Sequence, residues 1–259
     1  MACISPGGRR KLMPVRDLAS ETPMCPVPDS DSSSHRDALL QRSWQRAWTG
    51  LSPTQSGTGD ALCQQLLTAW QEPQRHYHTL QHLSECLLAF EHQRHHCQQP
   101  AEVEMALWFH DAVYQVRSGD NEARSAEWAR QALAEAGIAE SRVDRVVALV
   151  MATCHGIDEG STTTSGDPDR ALLVDIDLAI LAAEPARFAE YELQVRQEYR
   201  WVPGWLYRRK RRQVLAGFLE RTRLYQTPAL YQSWETRARD NLRQALGLAG
   251  ETNRQGERQ

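Results

Sequence analysis

The chain of 259 residues has no long hydrophobic run, no close cysteine pair and no strong charge of either sign. No apolar stretch approaches the roughly 18–20 residues that cross a bilayer, so neither a transmembrane helix nor a membrane partner is expected. Arg9, Arg10 and Lys11 are not followed by an apolar core, so the N-terminus lacks the pattern of a secretory signal. No Asn-x-Ser/Thr acceptor occurs. The six cysteines, at positions 3, 25, 63, 86, 97 and 154, form no Cys-x-x-Cys pair, which argues against a zinc ribbon or a thioredoxin-like site. Their scatter fits reduced thiols and a cytoplasmic location. A net charge of −3 gives no global reason for nucleic-acid or membrane binding. Strand alternation, hairpin turns and fixed-period repeats are missing as well, which leaves helices.

The helical pattern is nearly continuous. Apolar residues recur at helical spacing over 36–49, 59–71, 79–97, 101–115, 120–136, 141–154, 171–183, 185–200, 204–224 and 228–247. Asp120 and Ser141 are the expected N-caps of the fifth and sixth helices, and Gly137 stops the fifth. The expectation is an all-α fold of about nine to ten helices in a single domain over 36–249. Residues 1–35, rich in Pro, Ser and Asp, are expected to be a disordered tail, and 250–259 a frayed end. Gly156–Asp169 is a long polar loop of the kind that often carries function.

Chemistry concentrates around Ala106-Leu107-Trp108-Phe109-His110-Asp111, where an acid and an imidazole sit inside an apolar helical run. Charged groups are rarely buried without a partner, so this pair is expected to be paired or to hold a metal. His78 and His82 share a helix face at the start of an apolar-faced helix, whereas the equally spaced His92 and His96 lie on a polar helix end. Asp175 and Asp177 are the carboxylates of the buried run 171–183, and helical phase alone does not choose between them. Imidazoles and hard carboxylates together suit one divalent ion such as Mn, Fe, Co, Zn or Mg. The run Arg208-Arg209-Lys210-Arg211-Arg212 is the strongest local charge; most of it reads as a solvated face, with Arg208 and Arg212 on one side able to meet a phosphate. No stacking motif accompanies it, which argues against nucleic acid.

With these residues the chain resembles the HD superfamily of metal-dependent phosphohydrolases over roughly 75–185. Tyr77-His78-x-x-x-His82 is similar to a motif of the cyclic-nucleotide phosphodiesterases, with Thr79 where that motif has Asn, and Ile176-Asp177-Leu178 is similar to the element carrying the family's last ligand. His-Asp-x-x-Tyr, Asp120-Asn121-Glu122-x-x-Ser125-Ala126 and Asp175-Ile-Asp177-Leu-x-Ile-Leu resemble a little-characterised bacterial group of predicted HD phosphohydrolases. The resemblance implies an HD-type helical domain with His82, His110, Asp111 and Asp177 as metal ligands and His78 as the acid that protonates a leaving group. Asp111 or Glu122 would act as base, and His155, Arg124, Arg208 and Arg212 are candidates to contact substrate. One histidine, His155, lies between the His-Asp pair and the last Asp, which implies one tightly held ion. The implied activity is hydrolysis of a nucleotide or another small phosphorylated metabolite. The alternatives are a non-catalytic metal- or nucleotide-binding regulatory module and an HD-type metal oxygenase.

Overall fold

The computed structural model describes residues 30–53, 59–154 and 166–248. Among them are ten α-helices, two short 3₁₀ segments and no strand. The helices are α1 (Ser30–Leu51), α2 (Asp60–Ala69), α3 (Leu80–Gln93), α4 (Pro100–Phe109), α5 (Asn121–Glu135), α6 (Glu140–Met151), α7 (Pro168–Asp177), α8 (Pro185–Glu198), α9 (Gly204–Glu220) and α10 (Pro228–Leu246). The all-α expectation holds.

Helix α4 is the hub, and α1, α3, α5, α6 and α7 all pack against it. Pro100 opens it at a position where no backbone N–H is needed. Every residue from Glu102 to Phe109 is buried, so the helix is covered on all sides rather than along one stripe. The buried Glu104 is satisfied by α1: it accepts from Ser43 Oγ at 2.7 Å and from Arg46 Nε at 2.9 Å. Trp108 donates its indole N–H to Ser43 Oγ at 3.1 Å, and Trp70 donates to the Trp108 carbonyl at 3.1 Å. At the crossing of α1 and α4, a Cβ on Gly50 would lie 2.6 Å from Ala101 Cβ, so only glycine allows this approach.

Several boundaries differ from the sequence expectation, each for a local reason. Helix α1 starts at Ser30 rather than near 36. Helix α4 ends at Phe109, so His110 and Asp111 stand at its C-terminal end and not inside a helix running to 115. Asp120 occupies the N-cap position of α5, yet its carboxylate takes the Ser118 hydroxyl instead of capping the helix. Helix α6 begins at Glu140 with Ala139 as N-cap, so Ser141 caps nothing. The run 171–183 is two elements, α7 and a 3₁₀ turn over Leu178–Ala182, with Asp177 at the joint.

The α9–α10 hairpin fixes that joint. Tyr225 donates its hydroxyl to the Leu178 carbonyl at 3.1 Å, and Asn241 Nδ2 donates to the carbonyls of Leu181 and Ala183 at 2.9 and 2.8 Å. Asp175, fully buried, accepts the backbone N–H groups of Gln226 and Thr227 at 2.9 and 2.6 Å. No helix among the described residues is long and apolar enough to cross a membrane.

Candidate metal centre

Four chain segments meet at the end of α4. Helix α3 brings His82, the turn after α4 brings His110 and Asp111, the end of α7 brings Asp177, and the loop before α3 brings His78. Thr79 explains its own presence here: its side chain accepts from Gln81 N and caps α3. His110, the C-cap of α4, and Asp111, in the turn that follows, bring their side chains to one point. His110 Nε2 lies 3.3 Å from Asp111 Oδ2 and 3.5 Å from Asp177 Oδ1. His82 Nε2 lies 3.2 Å from His110 Nε2, 3.3 Å from Asp177 Oδ1 and 3.9 Å from Asp111 Oδ2.

The donor chemistry fits a cation. His110 Nδ1 sits 2.7 Å from the Leu107 carbonyl, so that nitrogen carries the proton and Nε2 presents its lone pair to the cluster. Burial alone would push the His110 ring down, but Asp111, its hydrogen bond to Asp177 and the Asp177 charge outweigh it and raise the ring to about 9. The surroundings thus favour a positive charge at this point. His82, Cys86, His110 and Asp177 offer ligand atoms within 4.8 Å of one another and could hold a metal ion.

Cys86 differs in kind from the other three. Its Sγ is 3.7 Å from His82 Nδ1 and 3.8 Å from Nε2, nearly equidistant, which places the sulfur over the ring rather than beyond Nε2. The thiol also lies 3.9 Å from the Ile176 carbonyl, and burial drives its pKa well above the ordinary thiol value. Asp111 Oδ2 reaches both imidazoles, at 3.3 Å from His110 Nε2 and 3.9 Å from His82 Nε2.

Beside the cluster stands a second constellation. His78 Nδ1 lies 2.9 Å from Glu198 Oε2, and His78 Nε2 lies 3.9 Å from Asp111 Oδ2. Glu198 is buried at the end of α8. Its Oε1 accepts the backbone N–H groups of His76, Tyr77 and His78 at 2.9, 2.8 and 3.1 Å, and its Oε2 takes the Tyr114 hydroxyl at 2.8 Å. The Tyr114 ring stacks on His78, with centroids 4.1 Å apart. Burial opposes ionisation of Glu198, but the charge and hydrogen bond of His78 and these N–H groups hold its carboxyl down at about 2. Burial lowers His78 in turn, yet Glu198 and Asp111 leave it raised above its ordinary value.

Arg75, 5% exposed, joins the two constellations. Its guanidinium donates to the His78 carbonyl at 3.1 Å, the Asp111 carbonyl at 2.7 Å and the Ala112 carbonyl at 2.9 Å. The loop before α3 is thereby held against the turn after α4.

A cavity of about 910 Å³ opens on this region. His78, Asp111, Asp177 and Glu122 line it, whereas His82 and His110 are buried behind them. No family model matches this chain, and neither a curated protein nor a solved structure matches it. The site therefore rests on its own geometry.

The other sequence candidates are placed elsewhere. His155 lies outside the described residues. Arg124 and Arg208 are exposed and do not line the cavity, and Arg212 Nη1 donates to the Leu246 carbonyl at the end of α10. Lys210 and Arg211 of the same basic run do line it. His92 and His96 are exposed. Sequence reasoning missed Arg75 and Glu198. Glu198 left a faint signal: it continues the stripe Phe188, Tyr191, Val195 on the buried face of α8. An acid on an apolar stripe demands a partner.

Proposed function

We propose that the chain is a metal-dependent phosphohydrolase of the HD type, cleaving the phosphoester of a small phosphorylated substrate. His82, His110, Asp111 and Asp177 hold one divalent ion, of the Mn, Fe, Co, Zn or Mg class. The observation that carries this reading is the convergence of two imidazoles and two carboxylates beside a His–Glu pair, with His78, Asp111 and Asp177 on the wall of one cavity.

A bound divalent ion lowers the pKa of water and neutralises phosphoryl charge. The protein's own groups do the remaining work. Asp111 accepts the proton of the attacking water, with Glu122 as a further carboxylate on the same wall. The water oxygen bonds to phosphorus, the ester P–O bond breaks, and the departing oxygen takes a proton from His78 Nε2. Glu198 accepts the Nδ1–H, which fixes the ring orientation and favours the protonated form of His78. Tyr114 and Arg75 hold the pair in register.

The test is phosphate release from a panel of nucleotides and generic phosphoesters with added Mn or Co. Release that depends on metal is the expected result. A fully loaded protein that releases nothing supports the binding-module reading instead, and metal-dependent oxygen consumption supports the oxygenase.

A further inference from the structure

We propose that the phosphoester taken by this site carries a long apolar group, seated in the groove between α9 and the 3₁₀ turn, with the phosphoryl end at the metal cluster. This rests on the phosphohydrolase reading of the cluster.

The cavity is far larger than a phosphoryl group needs. Its α9 wall runs from Tyr207 to Glu220, which at the rise of an α-helix is about 20 Å. The same cavity is lined by His78, Asp111 and Asp177. Much of the remaining lining is apolar: Leu178, Leu181 and Val195, together with Val214 and Phe218 of α9.

The charges argue against a polyanion along this length. Arg211 donates Nε to Glu192 at 3.0 Å and lies over the Tyr191 ring. Arg221 lies over the Phe218 ring. Among the described residues Lys210 is the one cation on the cavity wall without an acidic or aromatic partner, while Glu122 and Glu220 add carboxylates. Outside the metal cluster Lys210 and Arg221 stand against Glu122 and Glu220, with Arg211 paired to Glu192, so the wall has no excess of positive charge to hold a polyphosphate chain, whereas an apolar chain gains the walls.

The experiment uses the full metal-loaded chain and n-alkyl phosphates from ethyl to dodecyl, below their micellar concentrations. Each buried methylene raises kcat/KM by up to about fourfold. The expected result is a rise of at least tenfold across the series. A flat series overturns the proposal. Phosphate release at any chain length leaves the hydrolase reading intact, and a segment of this chain filling the groove would give that flat series. Gly217 supplies the second arm: a Cβ there meets nothing within 4 Å, and glycine is replaceable inside α9 without strain. Gly217→Trp narrows the groove, so the ratio of dodecyl to ethyl kcat/KM falls at least tenfold; an unchanged ratio overturns the proposal. Calorimetry with n-alkyl phosphonates reads binding without turnover. Affinity that grows with chain length in the wild type and not in Gly217→Trp, in a protein that releases no phosphate, keeps the groove assignment and removes the hydrolase reading.

Discussion

Glu198 Oε2 lies 2.9 Å from His78 Nδ1, and the other oxygen of that carboxylate takes three consecutive backbone N–H groups from His76 to His78. One acid at the end of α8 thus fixes both the backbone and the ring of the proposed proton donor. His78→Ala should retain metal and lower kcat by about 10²–10⁴-fold. Glu198→Gln should lower it less, by about 10–100-fold. Because His78 is raised by Glu198, its protonated form persists above the ordinary histidine range, and activity falls as pH rises through the raised value. Glu198→Gln should move that alkaline limb of kcat to lower pH. A limb that stays in place contradicts the role of Glu198.

The same carboxylate predicts an acid limb of stability. Its pKa is depressed from 4.5 to about 2, so its contribution is in place above 4.5 and is lost as pH falls through about 2. Chemical denaturation across this window should show a steeper loss for the wild type than for Glu198→Gln.

Asp175 and Asp177 should separate cleanly. Asp177→Ala removes an oxygen 3.3 Å from His82 Nε2 and should abolish metal binding by elemental analysis. Asp175→Ala strips two backbone N–H groups of their acceptor and should cost on the order of 2–4 kcal/mol with metal binding retained. Burial pushes the Asp175 carboxyl up to about 6 despite those hydrogen bonds, as expected of an acid placed for structure.

Cys86 and Asp111 compete for the fourth place around the ion. The sulfur over the His82 ring predicts that Cys86→Ala changes metal affinity by less than about threefold, whereas Asp111→Ala weakens it at least about 100-fold. Isothermal titration with Mn or Co reads both; the reverse order would make the site a thiolate centre.

Glu104 is the structural counterpart, far from any chemistry. It is buried between Ser43 and Arg46, and Glu104→Ala leaves the Ser43 hydroxyl without its acceptor and Arg46 with Glu91 alone. A loss of about 1–3 kcal/mol in urea unfolding is expected.

The helices were legible because each buries a repeated apolar face, and ten segments recur at that spacing. The ends were less legible. The His110-Asp111 pair is apolar-flanked on both sides, so periodicity carries the helix past Phe109, whereas α4 ends there with His110 as its still-helical C-cap and a turn closed by Ala112 N–H on the Phe109 carbonyl follows. Asp175 and Asp177 are indistinguishable by helical phase, and the contacts made by the distant segment 224–227 decide which one faces solvent-side chemistry. Glu198 lies 120 residues from His78, and nothing local to either predicts the pairing. The arginine run was legible as charge but not as direction: Lys210 and Arg211 line the cavity, and Arg212 turns to the end of α10.

The central claim is that one ion held by His82, His110, Asp111 and Asp177 supports phosphoester hydrolysis. Phosphate release from a generic phosphoester, measured as Mn is titrated into metal-free protein, tests it most directly. The account predicts release that rises with added ion, saturates at about one per chain, and stays at background in Asp177→Ala. Wild-type protein that binds the ion and releases no phosphate from any phosphoester contradicts it.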